Sequence, residues 1–143
     1  MKLRDETKAA PDEKARWVER ETMVEASPEE VWEALTDEDR LEEWIAPEVE
    51  LDPVEGGEIS IGDGEDRRNG TVETVVEEKR FAFTWTRPGE GESFVEFTIE
   101  PLPGGTRVKV VETATNTADG PTAMAWGARL TRLEHILRFS LVA

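Results

Sequence analysis

Two hydrophobic periodicities divide this chain into a strand-rich part and a terminal helix. From 48 to 115, apolar and polar residues alternate in short runs separated by turn residues such as Gly56-Gly57 and Pro103-Gly104-Gly105, which is typical of antiparallel β-strands. From Pro121 to Leu141, large apolar residues recur at steps of three and four, which predicts one long amphipathic helix. A sheet of alternating strands has an apolar face to bury, and this helix is the longest element available to cover it.

The predicted closing helix has an apolar stripe on one side and charges on the other. The stripe consists of Trp126, Leu130, Leu133, Leu137 and Leu141, and the polar side carries Arg129, Arg132, Glu134, His135 and Arg138. Burial of such a stripe is worth about 10 kcal/mol as an upper bound. We therefore expect the stripe to lie against the sheet.

The segment before the strand-rich part predicts one strand and two short helices. Alternation from Trp17 to Ala26 indicates the first strand. The string Ser27-Pro28-Glu29-Glu30 carries the signature of a capping box with proline at the first helical position, so a helix should run to about Leu35. A second short helix is predicted from near Asp37, and Pro47 should end it.

Six further strands are predicted from the period of two. Their ranges are Val49 to Val54, Glu58 to Ile61, Gly70 to Glu78, Phe81 to Arg87, Ser93 to Leu102 and Thr106 to Thr115. Pro53 places the first of these at a sheet edge, and Gly62 to Gly70 is predicted to be a polar loop. In the strand from Gly70, Val72, Thr74 and Val76 are expected to share one face.

Together these elements predict an α+β fold. A curved antiparallel sheet of about seven strands would wrap around the C-terminal helix, with two short helices after the first strand. Residues 1–14 are predicted to form a flexible charged arm, and residues 15–143 a single domain. A gap between the curved sheet and the helix could hold a ligand.

The acidic composition disfavours nucleic acids and anionic membranes as binding partners. The chain has 33 acidic and 17 basic residues and a net charge of −16, which repels phosphate backbones and anionic lipids, so we expect no nucleic-acid partner. No run of apolar residues is long enough to insert into a membrane. Without cysteine or an apolar signal-peptide core at the start, the chain is expected to be cytoplasmic.

Catalytic and metal-binding signals are weak. The only histidine, His135, falls on the polar side of the predicted helix, so no histidine-dependent triad or metal site is expected. Asp63, Glu65 and Asp66 lack the spacing of a calcium loop and are interpreted as solvated surface. We expect no metal and no cofactor.

Two charged residues are the only catalytic candidates. Glu112 continues the inward face of Val108 and Val110, and Arg87 continues the face of the aromatic strand before it. An inward glutamate could act as a general acid or base, and an inward arginine could hold a carboxylate. In the simpler alternative, both lie at wet strand ends and pair with each other or with water.

Several residue strings resemble the START-like helix-grip superfamily, also called SRPBCC, and within it the branch of the activators of the heat-shock-protein-ninety ATPase (Aha-type). They span most of the chain: 26–37 (ASPEEVWEALTD), 40–44 (RLEEW), Gly56-Gly57, 70–72 (GTV), 83–85 (FTW), 105–108 (GTRV) and Trp126 with the leucines that follow it. The resemblance implies the predicted fold and a hydrophobic cavity under the long helix. It implies no single activity, because this superfamily includes lipid carriers, hormone receptors and polyketide cyclases.

The leading hypothesis is therefore binding of a small hydrophobic molecule in that cavity, without catalysis. The expected ligand-binding residues, which could equally be plain core, are Trp44, Phe83, Trp85, Phe97, Val110, Trp126, Leu130 and Leu133. One alternative is a polyketide cyclase or hydratase-like enzyme that uses Glu112 and Arg87. Another is a protein-interaction domain that binds a chaperone or forms a homodimer through its unprotected edge strand.

Overall fold

A single antiparallel sheet, two short helices and one long helix make up the described part of the chain, which is residues 15–89, 91–115 and 123–142 of a computed structural model. The strands are β1 (Ala15–Val24), β2 (Glu48–Leu51), β3 (Glu58–Asp63), β4 (Asp66–Val76), β5 (Arg80–Thr86), β6 (Glu92–Leu102) and β7 (Gly105–Thr115), and the helices are α1 (Pro28–Thr36), α2 (Glu38–Leu41) and α3 (Ala123–Val142). The predicted N-terminal arm and Pro121 lie outside the described residues.

The sheet has the order β1-β7-β6-β5-β4-β3-β2, and every neighbouring pair is antiparallel. The predicted curved sheet of seven strands, closed by a C-terminal helix, is confirmed. β2 lies at one edge, as Pro53 indicated, but it already ends at Leu51. β1 occupies the other edge.

The first helix forms where its capping residues predict it. The Ser27 hydroxyl accepts from the Glu30 amide at 3.2 Å, and the Glu30 carboxylate accepts from the Ser27 amide at 3.3 Å. This confirms the capping box, which satisfies amide groups that a helix start otherwise leaves open. The inward face of α1 consists of Val31, Ala34 and Leu35, which are fully buried.

The stripe of α3 lies against the sheet as predicted. Trp126, Leu130, Leu133 and Leu137 are at most 3% exposed, whereas the side chain of Leu141 is outside the description. The Trp126 ring meets the Phe97 ring of β6 edge-on, with 5.6 Å between their centroids. Apolar contacts of this kind bury the concave face of the sheet under the helix.

The predicted polar loop from Gly62 to Gly70 is wrong. β3 continues to Asp63, β4 begins at Asp66, and only two residues connect them in a hairpin turn that holds Gly64 at a φ of 67°. Such a turn needs the left-handed region that glycine enters without strain. The strand could not be predicted here, because the residues at this end of the hairpin are mostly charged. They lack the alternating apolar pattern that marks a half-buried strand.

A β-bulge also changes the predicted face of β4. The register with β5 shifts between Val72 and Thr74, so Val72 is buried while Val76 points outward and is 42% exposed. Val75 packs against the core instead. The expectation that Val76 shares a face with Val72 was therefore wrong, since an extra residue at a bulge reverses the alternation beyond it.

A stability comparison on α3 tests how the helix packs on the sheet. Leu133→Ala removes a fully buried side chain, so we expect it to lower the free energy of unfolding by about 2–5 kcal/mol. Arg138→Ala changes an exposed side chain and should cost less than about 0.5 kcal/mol. Urea denaturation of both variants beside the parent measures the difference, and equal losses would contradict the packing described above.

Candidate functional site

A cleft of about 490 Å³ opens between the sheet and α3. The segment 42–47, which follows α2, closes one side of it, and strands β3, β4 and β5 supply the opposite wall. Its lining residues are Glu42, Glu43, Trp44, Ile45, Ala46, Pro47, Ile61, Gly62, Asp63, Asp66, Arg68, Trp85, Arg129 and Arg132. The cleft thus lies where a helix-grip fold is expected to hold a ligand.

Beside the cleft, one buried carboxylate joins the helix to the sheet. The indole N–H groups of Trp85 and Trp126 donate to the two oxygens of Glu112, at 2.9 and 2.8 Å. Glu112 is only 3% exposed. A carboxylate has two acceptor oxygens and no donor, and an indole is a donor only, so the three groups satisfy one another in the interior.

The same hydrogen bonds bring the two indole rings together. Trp85 of β5 and Trp126 of α3 stack with 6.3 Å between centroids and 21° between planes. Both side chains are at most 1% exposed. The sheet and the helix therefore meet through a fixed aromatic pair next to the cleft.

Two guanidinium groups lie over this aromatic pair. The central carbon of Arg68 in β4 is 4.6 Å from the centre of the Trp85 ring, and that of Arg129 in α3 is 4.6 Å from the centre of the Trp126 ring. Arg129 is also 5.9 Å from the Trp85 ring. Attraction between a cation and the face of an aromatic ring stabilises such contacts. Both arginines line the cleft.

Gly70 helps to place Arg68 over Trp85. It lies directly opposite Trp85 in the pairing of β4 with β5, and a Cβ atom added there would come within 1.6 Å of the Thr84 carbonyl oxygen. Only glycine allows such a close approach of the two backbones. Arg68 is the next residue on the same face of β4, because side chains alternate along a strand.

Burial and a neighbouring cation lower the pKa of Arg129. Desolvation, followed by the charge of Arg68, lowers the pKa of Arg129 to about 10, while Glu112 acts in the opposite direction. Because the folded-state pKa lies below the unfolded value, the charge of Arg129 costs stability at neutral pH. That cost disappears as the pH rises from about 10 towards the higher ordinary pKa of an arginine.

Four acidic residues line the cleft, and three of them, all except Asp63, have described partners. Glu42 accepts from the Val49 amide at 3.0 Å, and Glu43 forms an ion pair with Arg40 at 2.8 Å. A third acid, Asp66, lies 3.0 Å from the guanidinium Nε of Arg87. These carboxylates form the outer rim, whereas Arg68 and Arg129 lie over the buried rings.

Arg132 ties α3 to the segment 42–47, which closes one side of the cleft. Its Nε donates to the backbone carbonyl of Trp44 at 3.1 Å. The sequence placed Arg132 on the polar side of the helix, which is correct, but that side faces the segment 42–47 rather than solvent alone. A variant at this position would therefore disturb the cleft.

The expected ligand-binding residues divide into two groups. Trp44 and Trp85 line the cleft. The others lie in the buried core above the concave face, namely Phe83, Phe97, Val110, Trp126, Leu130 and Leu133. Ring contacts such as Phe83–Phe97 at 6.4 Å and Trp44–Phe97 at 5.9 Å fill the space between them. Their contact with a ligand stays a prediction.

The two catalytic candidates have different surroundings. Glu112 points inward as its face predicted, and the alternative that it lies at a wet strand end was wrong. Arg87 follows the end of β5, and its charge is close to that of Asp66. The contacts described for each, to indoles for Glu112 and to an acid for Arg87, do not bring the two residues together. A joint catalytic role stays a hypothesis.

Arg68 and Arg129 were not among the site residues expected from the sequence. Arg68 fell inside the segment predicted to be a loop, and Arg129 was placed on the polar side of the helix. One signal was available, because Arg129 follows Trp126 by three residues and such pairs are neighbours on a helix. Arg68 could not be found in this way, since its contact with Trp85 depends on the register of β4 and β5.

Within residues 15–89, 91–115 and 123–142, no three histidine or acidic side chains are grouped so that they could hold a metal ion. In the same ranges, no helix is long and apolar enough to cross a membrane.

The buried carboxylate makes a sharp prediction for stability. Glu112→Gln replaces one acceptor oxygen with an NH₂ group, so one buried indole N–H loses its acceptor. We expect a loss of about 1–3 kcal/mol in the free energy of unfolding. Glu77→Gln, at an exposed turn position, should change it by less than about 0.5 kcal/mol. Chemical denaturation compares them, and unchanged stability of Glu112→Gln would mean that the shared carboxylate does not hold the helix.

Known structures share this architecture. Protein MLL2253 of Mesorhizobium loti is 25% identical, with a TM-score of 0.75 over 85% of this chain and 96% of its own. CalU16 of Micromonospora echinospora is 22% identical, with a TM-score of 0.72 over 90% and 80% of the two chains. The Aha1 dimer of Colwellia psychrerythraea is 21% identical, with a TM-score of 0.69 over 86% and 96%.

The sequence itself assigns the family. Comparison with curated proteins gave no significant match. The family model for activator of Hsp90 ATPase homolog 1-like protein matches residues 25–138. This range includes all the residues that line the cleft, Arg68 and Arg129 among them. The chain therefore belongs to the activator of Hsp90 ATPase homolog 1-like family.

Proposed function

We propose that this domain binds a small hydrophobic molecule in the cleft between the sheet and α3, without catalysing a reaction. The observation that carries the proposal is the cleft itself. Its volume of about 490 Å³ falls in the range of small-molecule sites, roughly 300–1,000 Å³. The cleft lies where the sheet, α3 and the segment 42–47 meet, and such junctions are common ligand sites.

Apolar side chains lie on both sides of the cleft. Trp44, Ile45 and Ala46 line it on the side of the short helices, and Ile61 and Trp85 line it on the side of the sheet. Ala46 is half-buried and the other four are at most 5% exposed, so an apolar ligand that parts the two sides would come into contact with all of them. The hydrogen bond from Arg132 to the Trp44 carbonyl holds the segment 42–47 against α3.

Catalysis is the weaker alternative. A buried carboxylate close to a cleft is the observation that favours an enzyme, since a general acid or base needs such surroundings. Both oxygens of Glu112, however, already accept indole N–H groups. Transfer of a proton through Glu112 would require one of these bonds to open. The relatives CalU16 and Aha1 share the fold at low identity and supply no chemistry for this site.

A ligand screen tests the proposal. Thermal shift and native mass spectrometry with fatty acids, sterols and aromatic polyketides should identify a stabilising ligand. At a hundredfold excess over the dissociation constant, binding should add about 2.7 kcal/mol to the free energy of unfolding. The absence of stabilisation by any compound would contradict the proposal.

A matched pair of variants locates the binding. Ala46→Trp places a large ring in the cleft and should abolish the stabilisation, whereas Ala128→Trp makes the same change at an exposed position of α3 and should preserve it. Circular dichroism and the melting temperature without ligand show whether each variant is folded. Retained binding in a folded Ala46→Trp protein would place the ligand elsewhere.

A second copy of the chain is another candidate partner. β2 is an edge strand, and the Colwellia relative was solved as a dimer. Glu48 and Glu50 are exposed on β2, so pairing of two copies through this edge would bring carboxylates together. We expect such a dimer to be strengthened by salt, which screens the repulsion. Sedimentation velocity at micromolar concentration and two salt concentrations measures this, and a monomer throughout would exclude a β2-mediated dimer in that range.

A further inference from the structure

We propose that the segment 42–47 acts as a lid over the cleft, that Arg132 holds this lid against α3, and that the ligand enters between the lid and the helix. The inference rests on the proposed function and names the residue on which access to the cleft depends. Arg132 acts through the Trp44 carbonyl, so it is a positioning residue.

The apolar walls of the cleft are closed to solvent. Ile45 in the segment is 3% exposed, Ile61 on β3 is 5% exposed and Trp85 on β5 is 1% exposed, although all three line the cleft. A hydrophobic molecule is stabilised by contact with such side chains and gains little from the charged groups around them. Binding of an apolar ligand therefore requires the two walls to separate, and one side of the cleft must move.

The segment is firmly attached on the side of the short helices and at its ends. Glu42, at its start, accepts from the amide of Val49 just beyond its end, at 3.0 Å. The Trp44 indole donates to the Ala34 carbonyl of α1 at 2.9 Å, and its ring meets the Phe97 ring edge-on, with 5.9 Å between their centroids. These contacts hold both ends of the segment and the buried Trp44 ring in place.

The hydrogen bond to α3 is of a different kind. Arg132 is an exposed residue, and its Nε donates to the Trp44 carbonyl at 3.1 Å. Water can replace either partner of a bond at the surface, so this bond breaks at a lower cost than the buried contacts of the Trp44 ring. Its loss releases the segment from α3 and leaves the ends attached.

The place of this hydrogen bond connects it to the apolar wall. Ile45 follows Trp44 in the chain, so a shift of the Trp44 carbonyl away from α3 also moves the backbone of Ile45. Arg132 itself lines the cleft, which means that the gap opens beside the cavity and not elsewhere on the helix. Breaking this bond is thus the step that uncovers Ile45 and Ile61 for a ligand.

Thiol labelling of the ligand-free protein measures the opening. The chain has no cysteine, so Ile61→Cys places one reporter on the wall that the lid covers, and Val72→Cys places one at a buried position of β4 outside the cleft. We expect N-ethylmaleimide to react faster with the thiol at the first position. Adding Arg132→Met should raise that rate by about two- to tenfold, the effect of one lost hydrogen bond, and leave the rate at the second position unchanged.

Two further variants control for charge and for position on the helix. Arg132→Lys keeps a charged donor and should raise the labelling rate less than Arg132→Met does, and it carries the test if the methionine variant does not fold. Arg138→Met removes an exposed arginine of α3 outside the cleft and should have no effect. A rate that rises equally at both thiol positions would show that Arg132 stabilises the whole fold, and a rate that rises at neither would show that it holds no lid. Either result overturns the inference.

The rate of ligand entry tests the second half of the proposal. Stopped-flow fluorescence with N-phenyl-1-naphthylamine, a neutral hydrophobic dye, measures association with the parent and with Arg132→Met. We expect the variant to associate faster by about the same two- to tenfold factor, because the open form is more populated. An unchanged association rate in a variant that opens more often would place the entry route elsewhere and overturn the proposal.

The outcomes separate this inference from the proposed function. If a compound of the ligand screen binds but labelling at the Ile61→Cys thiol does not respond to Arg132→Met, the lid fails and the proposed function stands. If labelling detects the opening but neither the dye nor any compound of the screen binds, the proposed function fails and the opening is not a route for a ligand. Faster labelling together with faster association supports both.

Discussion

The shared carboxylate of Glu112 is the interaction on which the rest of the interior depends. It lies on β7 and receives indole N–H groups from β5 and from α3, so it fixes the distance between the sheet and the closing helix at one point. Apolar packing alone would allow the helix to slide, because hydrophobic attraction has no direction. Hydrogen bonds do have direction, and a buried acceptor that loses a donor is costly. The position of α3 along the sheet is therefore set by two tryptophans and one glutamate.

The hydrogen bonds to Glu112 also determine where a cleft remains beside the helix. Because Trp126 reaches down to Glu112, its ring lies over Phe97 and stacks on Trp85, and the central part of the concave face is filled by aromatic rings. A cleft remains beside this cluster, where the segment 42–47 approaches β3 and β4. The fold thus combines a rigid aromatic interior with an adjacent opening, and the arginines cover the rings at the boundary between them.

The sequence predicted the elements well and the site poorly, for a physical reason. Periodicity reports which face of an element is buried, so it was sufficient for the capping box of α1, the stripe of α3 and the inward direction of Glu112. A guanidinium group over a ring leaves no such signal, because its long stem and charged end give Arg129 the appearance of a surface residue. The contact between Arg68 and Trp85 depends on the register of two strands and on the two-residue hairpin before β4, which was taken for a loop. Contacts between elements are set by the tertiary fold.

The charges of the chain act on two length scales. The net charge of −16 repels an approaching anion over about one Debye length, roughly 8 Å at physiological salt. Beside the cleft, single neighbours decide instead, because burial and the charge of Arg68 lower the pKa of Arg129, while Glu112 and Asp66 act in the opposite direction. The net charge of the whole chain therefore does not predict the electrostatics of this site, where acidic and basic side chains line one cleft.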